Sequence, residues 1–315
     1  MLAPMQGLTN RALRALFGEW AKPDIMFTEF IRVRPGSRKG ISPVDRLEAG
    51  SGSENIPLVV QLIGKETEAL VAAAKAAQDH GAVHLNLNLG CPFGRMNSGS
   101  AGGALLKHSA GLDQRLTSLR ECTNGSLSVK VRSGYDDPEQ IFSLLPIFEN
   151  CGIDFIVLHS RTVLQKYSGV ADHDLTARVV DSTRLPIIAN GDVTTAAEGL
   201  QVLKNTGAAG LMIGRGAIRD PLIFQRLRDA APRIPSRAAR SAELQYYIAE
   251  LTDRYRKIFQ GETQVLNKLK TILSMLNEDP FFGREIHKIL RAKNLDQFTA
   301  LMKKLAYSSN NKDNL

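Results

Sequence analysis

Eight short stretches rich in aliphatic and β-branched residues recur along the first 215 residues, and each is followed by a helical pattern. They are Leu2–Pro4, Ile25–Thr28, Leu58–Leu62, His84–Leu89, Leu127–Val131, Phe155–His159, Pro186–Asn190 and Gly210–Ile213. Several are continuous apolar runs (PLVVQLIG, DFIVLH, LPIIANG), as expected of parallel strands covered on both faces. Between them, helices are predicted over Lys65–His80, Pro138–Asn150 and Thr195–Asn205, closed by Gly81, Gly152 and Gly207. So many alternations predict a (β/α)8 TIM barrel rather than a doubly wound sheet, which normally stops at about six strands.

After Arg219-Asp220-Pro221 the strand signals stop. Residues 230–236 (AAPRIPS) read as a linker, and helices are predicted over Ala242–Phe259, Gln264–Leu276, Gly283–Lys293 and Leu295–Ala306. Leu266, Leu269, Leu273 and Leu276 fall on one helical face. Two domains are therefore expected: a barrel over 1–235 and a small all-helical domain over 236–315. Forty Lys and Arg against thirty-two Asp and Glu give a net charge of +8. From residue 236 onward fourteen basic residues face nine acidic ones, so most of the excess sits in the helical part. A basic appendage on a near-neutral body suggests a polyanionic partner, nucleic acid before membrane. No apolar run approaches the ~18 residues of a membrane helix, and Met1–Met5 lacks the layout of a signal peptide. Three cysteines are too few for a disulfide framework, so a reducing cytoplasm is expected. A monomer is expected as well.

In such barrels chemistry sits at the C-terminal strand ends. Those ends carry Pro4-Met5, Glu29, Gln61, Asn88 through Pro92, Lys130, His159, Asn190-Gly191-Asp192 and Gly214-Arg215-Gly216. A single His or Lys there reads as structure or surface, but so many polar groups closing apolar strands at one rim read as a site. The glycine-bearing ends of the last two strands, Gly191 and Gly214, suit close backbone approach to a phosphate, with Asp192 and Arg215 in the same turns. Lys130 and His159 suit a ligand that becomes anionic in turnover, such as a reduced flavin. A Schiff-base lysine in an aldolase is the competing reading of Lys130; Gln61 and Asn88, as amide readers of a heterocycle, favour the flavin. Cys91, between Gly90 and Pro92 in a loop with four glycines between 94 and 103, has neither base nor orienter nearby. It reads as a proton donor rather than a nucleophile. Cys122 and Cys151 read as packing residues, and no metal-ligand spacing is present.

These residues resemble the tRNA-dihydrouridine synthase family. The segments Leu2-Ala3-Pro4-Met5, Asn86–Pro92 (NLNLGCP), Ala101–Leu106 (AGGALL), Val129–Arg132 (VKVR), His159–Thr162 (HSRT), Ala189–Asp192 (ANGD) and Met212–Gly216 (MIGRG) carry the likeness, in family order, across nearly the whole barrel. Thr28–Val33 and Leu269–Ser274 are most similar to the bacterial synthase C branch, whose members act on the D-loop uridine at position 16. The resemblance implies FMN over the barrel mouth, held by Pro4, Met5, Gln61, Lys130 and His159, with its phosphate at Asn190, Gly191, Asp192, Gly214 and Arg215. It implies NADPH as reductant, tRNA as partner, Cys91 as general acid, Asn88 reading the extruded uracil and Tyr167 packing on it. Arg32, Lys268 and Lys270 fall where that branch contacts RNA. Asn86, Ser160 and Arg95 depart from the family's frequent Asp, Gly and Lys, and Arg95 keeps the charge without the geometry. A flavin barrel acting on a small pyrimidine-like molecule is the alternative, and it leaves the basic helical part without a task.

Overall fold

The computed structural model describes residues 1–305 except 35, 37–39, 53–54, 94–100, 108, 278 and 280. Eight strands form one parallel sheet: β1 (Met26–Phe27), β2 (Ile31–Arg32), β3 (Leu58–Ile63), β4 (His84–Leu89), β5 (Ser126–Arg132), β6 (Phe155–His159), β7 (Ile187–Asn190) and β8 (Gly210–Met212). Both β1 and β2 pair with β3, and the register shifts by one residue between them (Phe27 opposite Val59, Ile31 opposite Leu62), so the two occupy one barrel position interrupted at Thr28–Phe30. The predicted first strand is reduced to Leu2, which bridges Met26 on one side and Ile213 on the other. Ala3 N–H donates to Ile213 O at 3.0 Å and Leu2 N–H to Ile25 O at 2.9 Å, which closes the barrel. The fold is the (β/α)8 barrel expected from the strand count.

The period of two decides what the barrel holds. Outward-facing Val60, Leu62, Leu85, Leu87, Val129, Val131, Ile156 and Leu158 pack in one apolar shell with the helices. That shell includes α3 (Thr67–Gln78), α4 (Leu112–Cys122) and α5 (Gln140–Asn150). Inward-facing Ala3, Phe27, Val59, Val157, Ile188 and Met212 form a small apolar plug. One step further along the same inward faces come Gln61, Asn88, Lys130, His159 and Asn190. The interior therefore changes from apolar to polar toward the C-terminal strand ends. Gly152 (φ +67°) and Gly207 (φ +64°) follow α5 and α7 (Ala196–Thr206) as predicted. The three cysteines are free: Cys122 Sγ lies 3.3 Å from Leu119 O and Cys151 Sγ 3.4 Å from Asp113 O, both in packing positions.

The chain divides into two compact units, and the division differs from a cut at 235/236. The first comprises 1–9, 23–193 and 197–214; the second comprises 10–22, 194–196 and 215–315. Residues 215–235 belong with the helices because buried Arg226 pairs with Asp220 at 2.8 Å and with Glu243 at 2.5 Å. Residues 10–22 join them because Phe17 and Trp20 pack on Tyr247 and Tyr246 of α10 (Arg237–Ile258). Two-proline spacing signals a linker, but it carries no information about such long-range pairs. The second unit also contains α11 (Glu262–Ser274), α12 (Gly283–Ile289) and α13 (Leu295–Lys304). Ser236 Oγ accepts from Ala239 N–H at 3.2 Å, so α10 starts five residues before the predicted helix.

Candidate active site

A cross-strand chain of amides crosses the polar layer and ends on the Cys91 loop. Register sets Asn86 opposite both Gln61 and Ser128, and Asn88 opposite Lys130. Asn86 Nδ2 donates to Ser128 Oγ, Gln61 Nε2 to Asn86 Oδ1, and Asn88 Nδ2 to Gln61 Oε1, each at 2.8 Å. Asn88 Oδ1 then accepts from the backbone N–H of Gly90 at 3.0 Å and of Cys91 at 2.9 Å. This side-chain-to-backbone turn fixes where the chain leaves β4. Gln61, expected among the flavin-holding residues, is fully buried, and its carboxamide oxygen accepts from Asn88. Asn88, expected to read a base, has its oxygen engaged in the Cys91 turn. Buried amides facing one another across strands pair with each other before they meet any ligand.

Cys91 is half-buried, and its carbonyl accepts from Gly103 N–H at 3.0 Å. A Cβ on Gly103 would lie 2.7 Å from Val163 Cγ2 and 3.0 Å from Cys91 O, so only glycine permits this approach. Arg95 lies outside the described residues. Lys130 Nζ donates to Asn190 Oδ1 at 2.8 Å, and Asn190 Nδ2 to Met212 O at 2.8 Å, which links β5, β7 and β8. Burial pulls the Lys130 ammonium down to about 7; the Arg132 charge adds to this and Cys91 opposes it.

Two arginines not singled out by sequence reasoning hold the loops. Arg132 is buried; Nε donates to Gly90 O at 3.0 Å, and Nη1 to Thr162 O at 2.8 Å and Lys166 O at 2.6 Å. Burial draws its guanidinium down to about 10, against the pull of Tyr167. It lies 5.6 Å from the centroid of the exposed Tyr167 ring. Arg161, also buried, pairs bidentately with Asp192 at 3.0 and 2.6 Å and donates to Gly169 O at 2.6 Å. Its Nη1 also lies 3.2 Å from His159 Nε2; guanidinium only donates, so the proton of neutral His159 sits on Nδ1. The signal for Arg132 was its place two residues after Lys130 on a strand, hence on the same inward face.

The β7 exit is built differently. Gly191 takes φ +125°, where a Cβ would meet Ala171 Cβ at 2.6 Å, and Asp192 takes φ +50°. The Asp192 carboxylate is turned to Arg161 and to Ala171 N–H at 2.8 Å, so an anion at this turn would meet backbone. His173 Nε2 donates to Gly191 O at 3.1 Å. A Cβ on Gly214 would lie 3.4 Å from Met5 Sδ, so this glycine adjoins the Pro4–Met5 segment. Arg215 begins the short helix of the second unit. Arg32 ends β2 in the first unit, whereas Lys268 and Lys270 lie on α11 in the second. Lys270 Nζ donates to Ala292 O at 2.5 Å and Lys268 Nζ stands 5.4 Å from the Phe259 ring. Among the described residues no cluster of His, Cys, Asp and Glu is disposed to hold a metal ion, and no helix is long and apolar enough to cross a membrane.

A family model described as Dihydrouridine synthase (Dus) matches residues 1–306. A protein of Xanthomonas axonopodis pv. citri named tRNA-dihydrouridine synthase B is 32% identical over 228 residues, 71% of this chain and 67% of that one. A Rickettsia conorii protein named probable tRNA-dihydrouridine synthase is 34% identical over 233 residues, 72% of this chain and 68% of that one. The first of these names is synthase B, whereas two segments had pointed to the C branch. The solved structure of morphinone reductase in complex with tetrahydroNAD matches the fold with a TM-score of 0.54 at 13% identity, over 74% of this chain and 87% of that one. With a model spanning nearly its full length and relatives above 30% identity, the chain belongs to the dihydrouridine synthase family.

Proposed function

We propose that the protein reduces a D-loop uridine of tRNA to 5,6-dihydrouridine, using FMN and NADPH. The observation that carries this is the placement of Cys91. The backbone that carries the Cys91 thiol is fixed by the Asn88 turn at the end of a polar barrel interior that includes Lys130, within a chain of this family. The residues present fit FMN: Gly191 and Asp192 turn the β7 exit at positive φ, and an ammonium on Lys130, held beside Asn190, would offset the negative charge of a reduced isoalloxazine ring. Lys130 and His159 would border the ring, Pro4 and Met5 would line its edge, and the backbone turns at Asn190–Asp192 and Gly214 would take the phosphate. When bound and reduced by NADPH, FMN would supply the hydride that reaches C6 of uracil.

The chain's own residues do the rest. Hydride at C6 leaves an enolate across C5 and C4=O, and the Cys91 thiol donates its proton to C5; solvent then reprotonates the thiolate. Lys130 supplies positive charge near the anionic groups of the site. Tyr167, exposed at the rim over the Arg132 cation, offers a face on which an extruded base can stack. Extrusion costs a few kcal/mol, which phosphate contacts from the basic second unit offset. The target is assigned to uridine 16 on the C-branch segments. Incubation with unmodified tRNA, FMN and NADPH tests the reading: dihydrouridine at position 16 is expected. Product at another uridine overturns the position, and no product overturns the function.

A further inference from the structure

Beside the thiol, the barrel mouth carries an aromatic surface of which the proposed function uses only Tyr167. Phe93, two residues after Cys91, is 48% exposed, and Tyr167 is 51% exposed. Their ring centroids lie 6.3 Å apart at an interplanar angle of 34°. A base sandwiched between two rings needs them parallel and about 7 Å apart, twice the ~3.4 Å stacking distance. These rings are closer and tilted, so they form a shelf rather than a slot. The shelf is held in place from below. Arg132 bonds Gly90 O on the β4 side and Lys166 O on the β6 side, and its guanidinium lies under Tyr167. Lys166 itself takes φ +52°, a conformation that non-glycine residues adopt only where their surroundings enforce it. Leu164 and Val170, on the same β6 loop, are exposed as well.

An exposed, pre-positioned aromatic pair at the mouth of a site for RNA suits nucleobase stacking, which is tolerant of base identity. We propose that the two rings receive two consecutive nucleotides: Tyr167 takes the extruded uridine, and Phe93 takes the base of a nucleotide flanking it. This deepens the proposed function and rests on it. Phe93 then determines how well the flanking nucleotide is accepted, without touching the reacting atoms.

The test is a cycle between protein and RNA, using the full chain with FMN. Wild type, Phe93→Ala and Phe93→Trp are assayed on tRNA transcripts carrying an intact base or an abasic site immediately 5′ or 3′ of the target uridine. Flavin content and thermal midpoint serve as the folding controls. Phe93→Leu, which keeps bulk but lacks a π face, replaces the alanine variant if those controls change. Phe93→Ala is expected to raise KM for intact tRNA about tenfold with little change in kcat, and Phe93→Trp to restore it. One of the two abasic transcripts is expected to raise the wild-type KM by a similar factor and to cost Phe93→Ala nothing further. Dihydrouridine formation with additive losses at both abasic positions, or an unchanged KM in Phe93→Ala, overturns the role of Phe93 alone. No dihydrouridine from wild type on any transcript overturns both this role and the function on which it rests.

Discussion

The two sides of the barrel mouth are built on different principles. On the β4–β6 side, side chains do the positioning: amides run from Ser128 to Asn88, and Arg132 ties the Cys91 loop to the Tyr167 loop. On the β7–β8 side, backbone does it, through Gly191 and Asp192 at positive φ and a glycine at 214. The first arrangement fixes individual functional groups, as the proposed proton transfer from Cys91 requires. The second packs backbone closely against Ala171 and Met5 where a side chain would not fit or would crowd, and so shapes a turn rather than aiming a functional group. The arginines reflect the same division: Arg132 bonds three carbonyls, whereas Arg161 reinforces the turn through the Asp192 carboxylate.

Substitutions separate the two sides. Cys91→Ala should lower dihydrouridine formation about 10²- to 10⁴-fold, the range for loss of a general acid, while bound flavin is retained. Product assay and flavin content on one preparation check this, and an undiminished yield removes Cys91 from the chemistry. Asp192→Asn leaves Arg161 buried without its counter-charge and should destabilise the protein by about 3 kcal/mol, read from the denaturant midpoint. Gly191→Ala forces a Cβ against Ala171 and strains φ, for about 2 kcal/mol. It should loosen FMN while turnover per bound flavin is kept; normal FMN retention would show that this turn does not hold the cofactor.

The most gradual expected effect is a pH dependence on the β5 strand. Lys130 titrates near 7 in the folded protein, far below its unfolded range, so the folded state holds fewer protons between these values. The flavin-free protein should therefore gain stability as pH rises through and above 7. Affinity for a flavin reduced to its anionic form should run the other way, falling by up to about tenfold per pH unit above 7. Lys130→Met should flatten both profiles, measured by thermal melts and by flavin titration under reducing conditions.

Much of the barrel is visible in the sequence because parallel strands read as apolar runs at regular spacing, and the site because Gln61, Asn88, Lys130, His159 and Asn190 interrupt those runs near their ends. The uses of these residues are less visible. Register, not residue type, pairs Gln61 with Asn86 and Asn88, and this network reaches the Cys91 turn, a link that no local pattern announces. The Lys270 ammonium bonds Ala292 O, a partner 22 residues away that no local pattern announces. The grouping of residues 215–235 with the helices rests on contacts of the same kind, since Asp220–Arg226–Glu243 is a tertiary cluster. Arg132 and Arg161 sit in alternation with Lys130 and His159, and that signal was available.

The account stands most directly on a flavin in the barrel mouth. The visible absorption spectrum of the purified protein, before and after incubation with FMN, measures it. The expected result is a bound-flavin spectrum approaching one FMN per chain, diminished in Gly191→Ala and intact in Cys91→Ala. A colourless protein that takes up no FMN in either form would contradict the account, however well Cys91 and Lys130 are placed.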